Sequence, residues 1–326
     1  MKGAFRVGLV GLCLCWLPGC IVIPIAELLK RQPLKEHVLV DGAGFLLKKK
    51  IAVIEINGVI SSDSSYGLLS SSENTVVEVQ SRLKKIRLDP EVHAVVLQIA
   101  SPGGEVTACD IIYHTLVRFK KETGVPIVAS IVEQGASGAY YIAMASDEVI
   151  AHPTAIVGSI GVILQSYNVS GLLAKIGVAV APIKSAELKD INSPFRDMSD
   201  AERQVLQTLV DDLYGRFLDI VDKGRSGLNK ERVKELADGR VVSGVAAVDL
   251  GLVDRTGYLA DAIEHARRMA NISNPTIVHY TRPGGRNTRL SAVLDDRVDT
   301  SSDFRLQVET PRFHGAKLYY LWQPGL

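Results

Sequence analysis

Short apolar runs alternate with amphipathic stretches through the middle of the chain, a pattern that predicts strands alternating with helices. Apolar runs predict buried strands at 51–56, 94–99 and 126–132. Helical spacing of apolar residues predicts helices near 74–86 and 106–120, between those strands. This alternation indicates an α/β core in which the strands pair in parallel.

The later part of the chain shows a second set of patterns. Residues 150–169 are largely apolar and interrupted by glycines, which predicts short strands around 158–161. The apolar run 178–183 predicts another strand. Ser199 and Glu202 have the spacing of a capping box, which predicts the start of a long helix. That helix carries a broad apolar surface, which packs on the core or contacts a neighbouring subunit.

The beginning of the chain has the pattern of a targeting segment. Residues 7–29 are almost wholly apolar, follow Lys2 and Arg6, and are near the length that spans a bilayer as a helix. We interpret residues 1–29 as an uncleaved signal anchor. The alternative is a lipoprotein signal, because Leu-Pro-Gly before Cys20 approximates a lipobox, with cleavage before that cysteine and lipid on its sulfur. Either interpretation predicts a cell-membrane protein whose main domain lies outside the cytoplasm.

The rest of the chain divides into three parts. Residues 30–50 are interpreted as a polar tether and residues 51–270 as the α/β domain. Residues 271–326 form a tail to which the sequence assigns no role. A late apolar patch in this tail, at 318–322, packs on the core or makes subunit contacts.

Composition limits the classes of function that need to be considered. The net charge of +1 gives no reason to expect nucleic-acid binding. Cys109 is the one cysteine outside the N-terminal segment, so no disulfide is expected within the domain, and no cysteine or histidine spacing indicates a metal site. No convincing nucleotide-binding motif is present, so we expect no cofactor.

A serine among very small residues is the first candidate for chemistry. Ser137 lies between Ala136 and Gly138, and a predicted helix follows from Tyr140. Small neighbours leave the hydroxyl uncovered, and the start of a helix favours negative charge developing nearby. A nucleophilic serine needs this setting; the alternative is a Gly/Ala turn that simply packs tightly.

Two further segments bear on this serine. The strand that ends near Ile99 leads into Ser-Pro-Gly-Gly at 101–104, where consecutive N–H groups can form an oxyanion hole or simply an ordinary strand–helix turn. Lys184 and Lys189 follow the predicted strand 178–183. A lysine acts as a general base when burial keeps it neutral, whereas most loop lysines are solvated.

Together these segments resemble the signal peptide peptidase A family, membrane-anchored Ser/Lys proteases of the Clp/crotonase fold superfamily. The resemblance runs from about Lys50 to Ala270 and includes three further motifs. These are Val-Gly-Ser-Ile-Gly-Val at 157–162, the Lys-Asp loop with its Ser-Pro at 189–194, and Gly-Leu-Val-Asp at 251–254. The resemblance implies a fold of repeated β-β-α units.

The resemblance also implies a role for individual residues. Ser137 corresponds to the nucleophile and Lys189 to the general base, while Gly104 and Gly138 supply oxyanion-hole N–H groups and Ser159 holds the lysine amine. It further implies a protease that needs no cofactor and degrades signal peptides left in the membrane, or other extended apolar peptides. The short family members form homo-oligomers in which serine and lysine come from adjacent subunits, and we expect the same here.

Departures from the family pattern keep alternatives open. Ala139 stands where the family usually has glycine, and His152 stands where it often has asparagine. His152 is therefore an alternative base, as in the Ser-His-Asp triad of Clp-type proteases. An acyl-CoA hydratase or isomerase of the crotonase fold is a rival function, although we find no paired catalytic glutamates. An inactive membrane scaffold is the second rival.

Overall fold

The computed structural model describes most of the chain after its N-terminal segment. The described residues are 33–42, 49–63, 74–282 and 318–322, with the backbone alone at 65–66 and 71–72. The predicted anchor at 1–29 lies outside them. Across these described ranges, no helix combines the length and the apolar character that crossing a bilayer requires.

Strands and helices alternate along the described chain, as the hydrophobic pattern predicts. The strands are β1 (Lys35–Val40), β2 (Lys50–Asn57), β3 (Ser65–Tyr66), β4 (Ser71–Ser72), β5 (Val92–Ser101), β6 (Gly103–Glu105), β7 (Ile127–Ala136), β8 (Glu148–Ala151), β9 (Ile156–Gly158), β10 (Ile163–Leu164), β11 (Val241–Ser243), β12 (Arg255–Thr256), β13 (Thr276–Thr281) and β14 (Leu318–Leu321). The helices are α1 (Thr75–Arg87), α2 (Val106–Thr123), α3 (Gly138–Ala143), α4 (Ser170–Lys175), α5 (Asp200–Gly224), α6 (Lys230–Leu236), α7 (Gly244–Asp249) and α8 (Leu259–Met269). A 3-10 helix spans Glu187–Asp190.

A mainly parallel sheet forms the centre of the domain. Its strands run in the order β1-β13-β2-β5-β7-β8-β12, and β9 pairs in parallel with the end of β7. Val53, Val96 and Val128 lie opposite one another on β2, β5 and β7. These strands are almost wholly apolar because helices cover both faces of a parallel sheet. The coarse prediction of a mixed α/β fold is confirmed.

Two apolar clusters cover the two faces of this sheet. The larger cluster joins α1, α2 and α3 to the sheet through residues such as Leu83, Leu116 and Tyr141. The smaller cluster places Leu259 and Ala262 of α8 against residues of β2, β5 and β7. The sheet therefore lies between two helical layers, and its carboxyl edge is left for loops and short strands.

The predicted capping box opens α5 as expected. The Glu202 N–H donates to Ser199 Oγ, and the Ser199 N–H donates to a Glu202 carboxylate oxygen. The apolar surface of this helix divides in two. Phe217 is buried, whereas Val205 and Leu209 in the first half are exposed. Core packing therefore accounts only for the second half of the helix.

The predicted strand at 178–183 is wrong. The structure has no strand there, and Val178, Val180 and Ile183 are exposed. β-propensity reflects packing on a pleated, half-buried surface. No neighbouring strand is paired with this segment in the described structure, and Pro182 lacks the N–H that a ladder would use.

Three strands come from regions to which the sequence assigned no element. β1 belongs to the segment interpreted as a polar tether, and it pairs antiparallel with β13. β13 and β14 belong to the tail. β1 is an edge strand with mainly exposed positions, so a polar composition is compatible with its pairing. Because it lacks an apolar run, the hydrophobic pattern of the sequence does not predict it as a strand.

The buried histidine of β13 should make stability depend on pH. His279 is 3% exposed, and burial, with help from His37 and Arg82, lowers its pKa from 6.5 to about 4. Between these values the unfolded chain takes up a proton that the folded chain does not. The contribution of neutral His279 to the free energy of unfolding is therefore full above pH 6.5 and is lost as the pH falls towards 4.

We expect His279→Phe to weaken this pH dependence. Urea unfolding at pH 7.5 and pH 5 should show a smaller loss of stability on acidification for His279→Phe than for the wild type. The exposed His114 supplies the control, because His114→Gln should keep the wild-type dependence. An unchanged dependence in His279→Phe would contradict the assignment.

Candidate active site

Ser137 lies at the sharp turn between β7 and α3. Its backbone has φ 53° and ψ −119°, a conformation that costs on the order of 1–3 kcal/mol for a residue other than glycine. Two hydrogen bonds hold it: the Ser137 N–H donates to the Gly158 carbonyl at 2.7 Å, and its carbonyl accepts from the Tyr141 N–H at 2.9 Å. The surrounding fold thus stabilises a strained strand-to-helix turn at this serine, a feature typical of nucleophilic serines.

Small residues around Ser137 also have a packing role. A Cβ added at Gly138 would overlap the Sγ of Cys109 on α2. Ala136 and Ala139 are fully buried. The small residues of this segment are therefore needed for close packing, which is compatible with a catalytic role for Ser137. Burial raises the pKa of the Cys109 thiol, so this cysteine is a packing residue and a poor nucleophile.

The segment predicted as a turn at 101–104 is in part a strand, because Gly103 and Gly104 belong to β6, and it lies beside the serine turn. β6 follows β5 directly, and the Gly103 N–H donates to Ser101 Oγ at 3.1 Å. The Ile60 N–H donates to the Gly103 carbonyl and the Glu105 N–H donates to the Ile60 carbonyl, both at 2.8 Å. A Cβ added at Gly103 would lie 2.7 Å from the Gly138 backbone nitrogen. The two glycine-containing segments therefore meet backbone to backbone.

Ser159 is brought to the same edge of the sheet by β9. Ala136 pairs with Gly158, so Ser159 follows the residue that receives the Ser137 N–H. Ser159 is buried and has φ 50°, and its N–H donates to the Arg240 carbonyl at 2.7 Å. The structure thus gathers Ser137, Ser159 and the glycine turn at the carboxyl ends of neighbouring parallel strands.

Lys189 is the predicted residue that the structure does not bring to this cluster. It lies on the 3-10 helix and is exposed, and in the described chain no hydrogen bond or ion pair connects it to Ser137. Lys184 forms an ion pair with Asp190 at 2.7 Å and donates to the Glu187 carbonyl. The Lys184 amine is thus engaged within its own loop.

An arginine anchors the lysine loop to α5. Arg196 donates to both Asp190 and Glu202 and joins the 3-10 helix to the capping box. Hydrogen bonds from Arg196 and from the Ser199 backbone lower the pKa of Glu202 to about 2. Arg196, with Lys184, also holds the pKa of Asp190 far below its usual range. This network fixes the backbone from which Lys189 projects.

His152 has a structural setting away from the serine turn. The backbone N–H of His152 donates to the carbonyl of Ile131, which lies in the middle of β7, whereas Ser137 follows the end of that strand. Its ring Nδ1 lies 2.9 Å from Thr154 Oγ1, and the ring packs edge-on against Tyr258. The structure does not bring His152 together with Ser137, which disfavours the Clp-type alternative.

Two tyrosines after the serine anchor α3 in a way that sequence reasoning did not identify. Tyr140 donates to the Leu252 carbonyl at 2.6 Å, and Tyr141 donates to Asp110 Oδ1 at 2.6 Å. The sequence predicted only a helix start here. Paired phenol groups in a buried segment are a signal for such anchors, since buried hydroxyls need partners.

The comparisons with known proteins define the class and then the family. The model of peptidase family S49 matches residues 119–273. A provisionally named signal peptide peptidase SppA of Enterococcus faecium is 38% identical over 245 residues, which are 75% of this chain and 70% of the relative. A provisionally named protease, slr0021 of Synechocystis, is 40% identical over 69% of this chain and 76% of its own length.

A third relative, chloroplastic serine protease SPPA of Arabidopsis thaliana, is 31% identical over 72% of this chain and 35% of its own length. These matches and the serine turn define a serine protease. The chain belongs to peptidase family S49. Nothing in the comparisons supports the acyl-CoA hydratase or the inactive scaffold.

The contact between Gly138 and Cys109 gives a test of the serine turn. Gly138→Ala should destabilise the fold by about 1–3 kcal/mol, because the added methyl group overlaps the Cys109 sulfur. We expect a thermal midpoint several degrees lower and weaker peptide hydrolysis. Thermal unfolding of Gly138→Ala, of Cys109→Ala and of the double variant measures the coupling between the two positions.

Removing the sulfur should relieve the overlap. The double variant Gly138→Ala/Cys109→Ala should therefore be more stable than the sum of the single effects predicts. Gly171→Ala serves as the control, since a Cβ at Gly171 meets no atom within 4 Å. Purely additive effects on the free energy of unfolding would show that the methyl group added at position 138 does not overlap the Cys109 sulfur.

Proposed function

We propose that this protease hydrolyses peptides with Ser137 as nucleophile and Lys189 as general base. The observation that carries the proposal is the strained Ser137 turn, which lies beside the Gly103–Gly104 turn and the Gly138 N–H. The name of the Enterococcus faecium relative supports signal peptides as substrates. Signal peptides left after secretion, or other extended apolar peptides, are therefore the proposed substrate class.

The proposed reaction uses these groups in a fixed order. Neutral Lys189 takes the proton of Ser137 Oγ as that oxygen attacks the peptide carbonyl carbon. The N–H groups of Gly104 and Gly138 donate to the oxyanion, and the Ser159 hydroxyl accepts a hydrogen bond from the lysine amine. The lysine then protonates the leaving amine. Water, deprotonated by the lysine, attacks the acyl-serine ester, and the released serine oxygen regains a proton.

Active sites shared between subunits would explain why Lys189 is exposed and does not contact Ser137 of its own chain. The segment that carries this lysine also exposes apolar side chains, among them Leu172, Ile176, Ile183 and Phe195. Such a surface is typical of a subunit contact. We propose a homo-oligomer in which Lys189 of one subunit reaches Ser137 of the next, and in which Val205 and Leu209 extend the contact surface.

A finer fold class and a membrane location complete the proposal. β5, β6 and α2 follow one another as a β-β-α unit, which supports the Clp/crotonase type of α/β fold. The apolar segment 7–29 supports membrane attachment, through an intact anchor or through lipid on Cys20. In both cases the catalytic domain is proposed to lie outside the cytoplasm.

Substitution of Ser137 and Lys189, the proposed catalytic dyad, should distinguish a lysine general base from a histidine general base. Ser137→Ala and Lys189→Ala should each lower kcat for a fluorogenic apolar peptide by roughly four to six orders of magnitude, because members of a dyad act as a unit. Ser137→Ala should keep the wild-type thermal midpoint, since it removes one oxygen atom.

Two other substitutions serve as controls in the same assay. His152→Ala and Lys184→Ala should each retain most of the activity, because His152 bonds to Thr154 and Lys184 to its own loop. Loss of activity in His152→Ala with retention in Lys189→Ala would refute the Ser/Lys proposal in favour of a Clp-type base.

Complementation tests the shared sites. When Ser137→Ala and Lys189→Ala subunits are mixed and allowed to exchange, head-to-tail sites should recover about a quarter of the wild-type activity. Each protein alone should stay inactive. Mass spectrometry of isotope-labelled subunits verifies the exchange. Absence of recovery after complete exchange, or full activity of a monomer in sedimentation, would refute shared sites.

A further inference from the structure

A buried carboxylate lies next to the glycine whose N–H is proposed to bind the oxyanion. Glu105 follows Gly104 on β6 and is 8% exposed. One carboxylate oxygen accepts from Ser61 Oγ at 3.0 Å. The other accepts from the Ser62 N–H at 3.0 Å and from Ser62 Oγ at 2.6 Å. Three donors thus stabilise a charge that burial alone would make unfavourable.

Capping of α2 does not account for this carboxylate. Glu105 occupies the position before Val106, the first residue of that helix, where a side-chain acceptor commonly binds a helix N–H. Its side chain makes no capping hydrogen bond in the part of the chain that the structure describes. The carboxylate is directed instead at the segment that follows β2, so it connects that segment to β6.

The connected segment crosses the Gly103–Gly104 peptide group. Ile60 forms a parallel bridge with Gly104. The Ile60 N–H donates to the Gly103 carbonyl, and the Ile60 carbonyl accepts from the Glu105 N–H, both at 2.8 Å. A Cβ added at Gly104 would overlap the Ile60 carbonyl oxygen. The Ile60 backbone therefore binds the two peptide groups that flank Gly104 and lies directly against that glycine.

One planar peptide group links Ile60 to the proposed oxyanion donor. The Gly103 carbonyl and the Gly104 N–H belong to the same peptide group, so they point in opposite directions. The Ile60 N–H, by binding that carbonyl, fixes the direction of the Gly104 N–H on the other side. It also polarises the peptide group, because linked hydrogen bonds strengthen one another. A displaced Ile60 would therefore misalign and weaken the donor.

A second contact holds the same segment from the helical layer. Asn74 caps α1 by accepting from the Val77 N–H at 2.8 Å, and its amide nitrogen donates to the Ser62 carbonyl at 2.7 Å. Ser62 is thus bound by both Glu105 and Asn74. Because Ser62 is exposed, these hydrogen bonds and not apolar packing fix its position.

We propose that Glu105 is a positioning residue for the oxyanion hole. Its carboxylate holds residues 61–62, and through them it keeps Ile60 against the peptide group whose N–H binds the oxyanion. This inference rests on the proposed function of Ser137. The carboxylate acts through Ile60 and not on the substrate itself. Its loss therefore weakens binding of the tetrahedral intermediate and leaves binding of the uncleaved peptide nearly unchanged.

The test uses the full chain with Glu105→Ala. We expect kcat for a fluorogenic apolar peptide to fall by about tenfold to a hundredfold, less than the loss expected from removing an oxyanion donor outright. KM should change by less than about twofold. Glu105→Gln should recover most of the activity, because the amide can still accept from Ser62 and can donate to Ser61.

Two affinities separate positioning from a general structural role. A peptide aldehyde accepts Ser137 Oγ at its carbonyl carbon, and its oxygen then occupies the position of the oxyanion. Its inhibition constant should rise in Glu105→Ala by the same factor by which kcat/KM falls. The uncleaved peptide, measured on Ser137→Ala with and without Glu105→Ala, should keep its Kd within about twofold.

Glu148 supplies the matched control, because it is also a poorly exposed carboxylate with two partners. It binds Arg255 at 2.6 Å and His265 at 3.0 Å. It lies at the start of β8, whereas Ser137 follows the end of the parallel neighbour β7. Glu148→Ala should lower the thermal midpoint and leave kcat and the inhibition constant of the aldehyde unchanged.

A second variant removes the partners of the carboxylate and keeps Glu105 itself. Ser61→Ala/Ser62→Ala deletes the two hydroxyl donors, so it should also lower kcat. Combining it with Glu105→Ala should cost less than the sum of the separate effects, because both changes break the same contact.

The outcomes distinguish this inference from the proposed function. Wild-type kcat in Glu105→Ala, or a loss confined to KM, would overturn the positioning role. If Glu105→Ala does not fold, wild-type kcat in Ser61→Ala/Ser62→Ala would overturn it. An equal loss of kcat in Glu148→Ala would do the same, because destabilisation alone would explain the effect. If the wild type neither hydrolyses the peptide nor binds the aldehyde, the proposed Ser137 chemistry is wrong instead.

Discussion

The left-handed backbone of Ser137 is the constraint on which the rest of the site depends. A non-glycine residue keeps such a conformation only where its surroundings compensate for the strain. Here the Gly158 carbonyl accepts the Ser137 N–H from one side, and the Tyr141 N–H binds the Ser137 carbonyl from the other. The buried phenol of Tyr141, bound to Asp110, fixes the helix that supplies the second bond.

Parallel pairing explains why the other groups meet at this turn. β5, β7 and β9 are neighbours, so the turns that follow their carboxyl ends lie at one edge of the sheet. Gly103 and Gly104 of β6 follow β5, Ser137 follows β7 and Ser159 follows β9. Close contact with the Gly138 backbone then excludes a side chain at Gly103, and close contact with the Cys109 sulfur excludes one at Gly138. The same absence of side chains leaves room for the Tyr320 carbonyl.

Local signals were enough to predict much of this arrangement from the sequence. The apolar runs of β2, β5 and β7 lie in a sheet buried on both faces, and the spacing of Ser199 and Glu202 correctly predicts a capping box. Features that depend on distant partners were not predictable in the same way. β1 and β14 become strands only because β13 and β6 lie beside them, whereas 178–183 has similar propensity but no such pairing. The contact of Lys189 with Ser137 was not predictable for the same reason, because the proposed partner of this lysine belongs to another subunit.

A covalent probe of the nucleophile tests the central claim most directly. The full chain is treated with a small fluorophosphonate, digested, and analysed by mass spectrometry for the modified residue. The account predicts a single adduct on the peptide that contains Ser137, an adduct that is absent in Ser137→Ala and retained in Lys184→Ala. An adduct that persists in Ser137→Ala, or one found on a different serine, would contradict the account.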